Sequence, residues 1–198
     1  MFVLGLTGSL GMGKSTTAKF FAEEGIPLHD ADAVVHQLYE GEATPLIEAA
    51  FPGTTNGGKV DRDKLAKKVL GNAAAIKKLE AIIHPLVGRA EARFLQEAAS
   101  KGAAVVVLDI PLLYETGAER RCDAVVVVSA PAEVQRTRAF ERGMTEEEFE
   151  ALLAKQMPDA KKRARADFVV DTSKGFDVAR AQVREILARV ATMPKRIG

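Results

Sequence analysis

The 198-residue chain predicts an α/β fold: a parallel sheet of about five strands covered by helices on both faces, three layers in all. Two observations predict it. Short apolar, β-branched runs alternate with helical patterns five times along the chain. Two of those runs, AAVVVLDIPLL (103–113) and DAVVVVSAP (123–131), are continuously apolar, as strands buried on both faces of a parallel sheet are. The length suits one domain at roughly 150 residues per domain.

Each element has its own signal. FVLGL (2–6) is the first strand, followed by a glycine-rich turn and the helical run KSTTAKFFAEEG, which Gly25 ends. IPLH is a second short strand, and DADAVVHQLYEG places Val34, Val35, Leu38 and Tyr39 at helical spacing until Gly41. The stretch 42–61, rich in Gly, Pro, Thr and Asn, reads as an exposed loop. Three helices follow: one capped by Asp61, one capped by Asn72, and one running from Pro85 to about Ser100 with the proline in its first turn. After the two long strands come PAEVQRTRAFERG and TEEEFEALLAKQ, the second opened by a Thr145/Glu148 capping box. DFVVDTS is the last strand, and FDVARAQVREILARVA is a terminal helix with Val178, Val183, Ile186, Leu187 and Val190 on one face. Ligands of such sheets bind beyond the carboxyl ends of the strands, here after Leu6, Leu28, Leu108, Val128 and Val170.

Composition narrows the partners. The 28 Lys+Arg against 27 Asp+Glu leave a net charge of +1, which argues against bulk attraction to nucleic acid or an anionic membrane; any phosphate must be held by a local site. The single Cys122 excludes an internal disulfide, and with no secretory signal it points to a reducing, cytoplasmic compartment. The apolar runs are far short of the roughly 20 residues a spanning helix needs. His29, His36 and His84 stand far apart with no cysteine partner, so they do not form a zinc set, and Cys122 reads as a small packed residue.

The chemistry concentrates after the first strand. GSLGMGKS, Gly8 to Ser15, fits G-x-x-x-x-G-K-[ST] between a strand and a helix, the phosphate-binding loop of nucleoside triphosphate sites. Gly8, Gly11 and Gly13, with Met12 between them, let the backbone approach phosphate oxygens, and the N–H groups of the helix start bind the anion. Lys14 reaches the β- and γ-phosphates, the Ser15 hydroxyl is placed to ligate Mg²⁺, and Thr16 adds an α-phosphate contact. Asp109, at the end of the third strand, can hold the Mg²⁺ shell. A switch GTPase would need N-K-x-D and D-x-x-G, and neither occurs.

After the second strand stands His29-Asp30-Ala31-Asp32. A carboxylate there can take the proton of an acceptor hydroxyl; it can also cap the helix that begins near Ala33, and sequence leaves open which aspartate does which. Arg136, Arg138 and Arg142 supply cations on one stretch, with 138 and 142 on a common helical face. A phosphoryl-transfer transition state needs such charges around its equatorial oxygens.

LTGSLGMGKSTTA, DADAVVHQL, IIHPLV (82–87), IPLLYE (110–115), and the set Gln135, Arg138, Arg142, Gln156 with ARADFVVD together resemble the dephospho-coenzyme A kinase family of P-loop kinases, from residue 3 to about 175. The resemblance implies that ATP, with Mg²⁺, phosphorylates the ribose 3′-hydroxyl of dephospho-coenzyme A. It implies one P-loop kinase domain: a core of 1–30 and 101–198, a helical acceptor-binding region at about 31–100, and a lid at about 138–160. Carried over position by position, Asp32 is the base or orienting carboxylate. His84, Pro85 and Arg89 belong to the acceptor side, Leu112, Leu113 and Glu115 to the loop after the third strand, and Arg138 and Arg142 to the lid. The nearest rival, another P-loop small-molecule or nucleoside monophosphate kinase, lacks a reason for the His-Pro pair and the Asp-Ala-Asp turn. Two positions depart from the family pattern: Gly143 follows Arg142 where Asp is common, and Thr172 stands where Asn is common, which puts the adenine contact in doubt.

Overall fold

Parallel strands of a covered sheet must bury both faces, and the apolar runs form them. In the computed structural model, which describes residues 1–196, the sheet consists of β1 (Phe2–Thr7), β2 (Leu28–Asp30), β5 (Val105–Asp109), β6 (Ala124–Ser129) and β7 (Phe168–Asp171), in the order β2-β5-β1-β6-β7. The pairs β1–β5, β1–β6 and β6–β7 run parallel. The chain leaves β1 toward one side of the sheet and later fills the other, so the carboxyl end of β1 is the topological switch point where open α/β sheets bind ligands.

Helix α1 (Lys14–Glu23) and helix α9 (Phe176–Val190) cover one face. Phe20 and Phe21 of α1 and Val183, Ile186 and Val190 of α9 pack on Leu4, Leu6, Val126, Val128, Phe168 and Val170. Helices α6 (Ala132–Glu141), α7 (Glu146–Leu153) and α8 (Asp159–Arg165) lie between β6 and β7 in the chain. The Thr145/Glu148 capping box that opens α7 is present with both of its hydrogen bonds.

The chain divides into two compact units, one of Met1–His29 with Ala98 onward and one of Asp30–Glu97. The second unit holds α2 (Ala31–Tyr39), α3 (Thr44–Ala50), the two-residue strands β3 (Thr55–Asn56) and β4 (Lys59–Val60), and α4 (Arg62–Val69). Helix α5 (Ala73–Ser100) supplies most of the rest. Its own core gathers Leu38, Ile47, Phe51, Leu65, Ile83 and Leu86.

Three sequence expectations are corrected in this unit. The loop expected at 42–61 contains helix α3, opened by Pro45 in its first turn, and a hairpin turned by Gly57 and Gly58, both at positive φ. The helix expected to begin at Pro85 is instead continuous from Ala73 to Ser100 with the proline inside it. Ala81, whose carbonyl loses its partner to the proline ring, and Pro85 itself are both exposed, while Ile83 and Leu86 are buried. The apolar stripe outweighs the roughly 3 kcal/mol an interior proline costs. The helix expected near Ala33 starts at Ala31, because Asp30 caps it. Strand β5 is also shorter than the apolar run that predicts it, since Pro111 cannot continue a central strand.

Candidate active site

The glycine loop turns out of β1 at the switch point. Its Gly8 has no room for a side chain: an added Cβ would stand 2.7 Å from the Val128 backbone carbonyl oxygen of β6. Gly8→Ala should therefore lower Tm by roughly 5 °C, read by thermal unfolding, because backbone rather than a movable side chain blocks it. Gly13, at φ +89°, is the N-cap of α1 with no side-chain cap, so the first N–H groups of the helix remain for an anion.

Lys14 Nζ lies 2.6 Å from Asp109 Oδ1, and both side chains are largely buried. The lysine expected to serve phosphates and the carboxylate expected in the metal shell thus meet at the ends of α1 and β5. Ser15, one residue on, is exposed. Met12 is buried; its Sδ accepts from the Ala130 N–H, and its carbonyl accepts from Thr172 Oγ1 at 2.8 Å.

Thr172 also receives Arg138, whose guanidinium donates to Thr172 Oγ1 and to its carbonyl, each at 2.8 Å. The residue that departs from the family pattern therefore ties an arginine of α6 to the glycine loop. A cavity of about 260 Å³ opens here, lined by Gly13, Thr16, Arg138, Arg142, Thr172 and Phe176 among others. Arg142 makes no ion pair among the described residues, and Phe176 is 72% exposed. A larger hollow of about 440 Å³ on Met12, Pro131 and Gln135 carries the carboxylates of Asp159 and Asp171. Arg163 offsets Asp159 there through an ion pair at 2.7 Å, which leaves Asp171 in excess, whereas Arg138 and Arg142 outnumber Glu141 in the smaller cavity; that cavity, next to the start of α1, suits a nucleotide better. Arg136 is otherwise engaged: it pairs with Glu146 and Glu150 and lies over the rings of Phe140 and Phe149.

Leu112 is partly exposed after β5, whereas Leu113 is wholly buried. In the second unit, Asp30 Oδ1 accepts from the Ala33 N–H at 3.0 Å. Asp32, in the first turn of α2, is exposed, and its carboxylate has no hydrogen bond or ion pair among the described residues. His84 is exposed in the middle of α5, and Arg89 pairs with Glu42 at 2.8 Å. No group of three or more His, Cys, Asp or Glu that could hold a metal occurs among the described residues.

A strand, glycine loop and helix at the switch point, with Lys14 and two arginines converging on it, fit phosphoryl transfer but not one acceptor. The family comparison decides that: the sequence profile CoaE, dephospho-CoA kinase, matches residues 2–177. The chain belongs to the dephospho-CoA kinase family. A dephospho-CoA kinase of Bradyrhizobium diazoefficiens is 62% identical over 197 residues, 99% of each chain. The crystal structure of TT1252 from Thermus thermophilus matches with a TM-score of 0.83 at 34% identity, over 96% of this chain and 97% of that one. The dephospho-CoA kinase from Campylobacter jejuni shares the fold, with a TM-score of 0.63 at 24% identity, over 95% of this chain and 96% of that one.

For this dephospho-CoA kinase family member, sequence reasoning missed two features near the glycine loop. Lys162 of α8 is fully buried and pairs with Glu115 at 3.0 Å. Nothing marks it in the run DAKKRAR, where Lys161, Arg163 and Arg165 are exposed. Phe176 reads in sequence as one more apolar residue of a terminal helix; only its exposure beside Arg138 singles it out.

Proposed function

We propose that the residues assembled above carry out the family's reaction as follows. The chain is an ATP-dependent kinase: it transfers the γ-phosphoryl group of ATP to the ribose 3′-hydroxyl of dephospho-CoA, giving CoA and ADP. Gly8, Gly11, Met12 and Gly13 shape the cradle. The open N–H groups at the start of α1, with Lys14 and Thr16, hold the phosphates. The observation that carries this reading is the Lys14–Asp109 pair at 2.6 Å beside an uncapped helix start. Lys14 is held where phosphates arrive and exchanges one anion for another as ATP binds.

Ser15 and Asp109 would hold Mg²⁺. The donor set fits that ion, because a hydroxyl and a carboxylate are the hard oxygen donors it prefers. When bound, the ion neutralises charge on the β- and γ-phosphate oxygens.

Asp32 accepts the 3′-hydroxyl proton as that oxygen forms its bond to the γ-phosphorus and the bond to the β–γ bridging oxygen breaks. His84, Arg89 and Leu112, with the loop that Leu113 anchors, serve the acceptor. The segment 138–160 acts as the lid, and Arg138 and Arg142 neutralise the transferring group; closure keeps water from the γ-phosphate. The adenine lies beside Phe176, whose exposed ring offers a stacking face in place of the amide that Thr172 lacks. The core at 1–30 and 101–198 thus serves ATP and the region at 31–100 serves the acceptor.

No helix among the described residues is long and apolar enough to cross a membrane. We place the enzyme in the cytoplasm, acting on small molecules and not on nucleic acid or a membrane. ADP release measured with ATP alone, with nucleoside monophosphates and with dephospho-CoA tests the reading: stimulation by dephospho-CoA alone is expected. Stimulation by a nucleoside monophosphate instead would overturn it.

A further inference from the structure

Leu10 stands at the crest of the glycine loop, and two side-chain amides grip its peptide groups. Gln135 of α6 donates from Nε2 to the Leu10 carbonyl at 2.7 Å. Gln156, just after α7, accepts the Leu10 N–H on Oε1 at 3.2 Å. Gln135 is 6% exposed and is packed directly on the loop: a Cβ added to Gly11, whose φ is +76°, would meet the Gln135 carbonyl at 2.8 Å and its Cγ at 3.2 Å. The Met12 N–H is also taken, by Ser9 O at 3.1 Å.

These contacts fix the orientation of the crest. With the Leu10 N–H and carbonyl both engaged, the peptides on either side of Leu10 cannot rotate, and the turn that presents the start of α1 to an anion keeps one shape. One amide comes from the first turn of α6 and the other from just after the end of α7, the two roots of the helical hairpin that these helices form. A single residue of the loop therefore senses both roots of that hairpin.

We propose that Gln135 and Gln156 are positioning residues for ATP, which couple the shape of the phosphate cradle to the two roots of the α6–α7 hairpin. The inference rests on the reading of Gly8–Thr16 as the ATP cradle and adds to it.

The hydrogen-bond polarity gives a test in which one chemical change has two outcomes. Gln135→Glu sets a carboxylate against the Leu10 carbonyl and removes the donor; Gln156→Glu keeps an acceptor for the Leu10 N–H. Both add the same charge beside the same residue of the loop, so each controls for the other. By calorimetric titration with ADP, Gln135→Glu should raise Kd about tenfold, and Gln156→Glu by no more than about threefold. The Kd of dephospho-CoA should stay unchanged in both. Gln156→Met, which has no comparable acceptor, should weaken ADP as Gln135→Glu does. Equal losses in the two Glu variants, or a lower Tm with ADP affinity retained, would overturn the positioning role. If the wild-type protein fails to bind ADP, the cradle reading itself falls, which separates the two failures.

Discussion

Asp32→Asn is expected to bind ADP with a Kd within about twofold of wild type and to lower kcat by about a hundred- to ten-thousandfold, the range a positioned general base supplies. The two aspartates of the turn differ in the partners their carboxylates find in the fold. Asp30 ends β2, has an extended backbone, and turns its carboxylate onto the Ala33 N–H, satisfying one of the orphan donors of α2. Asp32 lies two residues further, already helical, with an exposed carboxylate that no described residue engages. The amide that replaces it in the variant preserves shape and some hydrogen bonding but cannot take a proton. The companion variant Asp30→Asn caps nearly as well as aspartate and should keep turnover close to wild type. Steady-state ADP release for the two variants checks both statements. Normal turnover in Asp32→Asn, or its loss in Asp30→Asn alone, would assign the proton transfer elsewhere.

The open question of which aspartate acts shows what sequence holds and where it stops. The glycine loop was legible because its chemistry is local: glycines, a lysine and a hydroxyl at fixed offsets between a strand and a helix. The strands were legible because burial on both faces leaves no polar position to dilute the apolar run. Their ends were less so, since a run such as VVVLDIPLL continues past the last ladder hydrogen bond. The Pro85 helix misled because a local breaker rule met a longer-range fact, the stripe through Ile83 and Leu86 that needs the whole helix. The hairpin at 55–60 hid in a stretch whose composition reads as loop, although Gly57-Gly58 is itself the two-residue turn signal. Interactions between residues distant in sequence left the least trace. Thr172 holding Arg138 and Met12, Gln135 and Gln156 holding Leu10, and Lys162 holding Glu115 span between 34 and 160 positions only because the strand order brings the carboxyl ends of β1, β5, β6 and β7 together.

The last of these pairs predicts the largest effect on stability. Lys162 is fully buried, and its Nζ meets Glu115 Oε1 at 3.0 Å and the Pro111 carbonyl at 3.4 Å. Glu115 Oε1 also accepts the Met157 N–H at 2.7 Å, whereas Oε2 is buried without a partner among the described residues. Compensation for this mostly buried carboxylate thus runs through one oxygen, and Lys162 supplies the full charge there among the described residues. Lys162→Met removes it and should cost about 3–5 kcal/mol, lowering Tm by roughly 10 °C. Adding Glu115→Gln, which keeps an acceptor for Met157 but no charge, should restore a substantial part of the loss. The pH dependence carries the sign. In the wild type, burial alone would raise the Glu115 carboxyl, but the Met157 N–H and Lys162 hold it below its ordinary 4.5. It therefore stabilises the fold above that pH, and the contribution is lost as pH falls through the lower folded value. In Lys162→Met, burial prevails and the carboxyl moves above its ordinary value, so the variant is penalised most at neutral pH. Thermal unfolding of the two proteins from about pH 8 down to about pH 5 should show the gap in Tm narrowing as the variant's carboxyl takes up its proton. A gap independent of pH would mean that Lys162 contributes packing rather than charge.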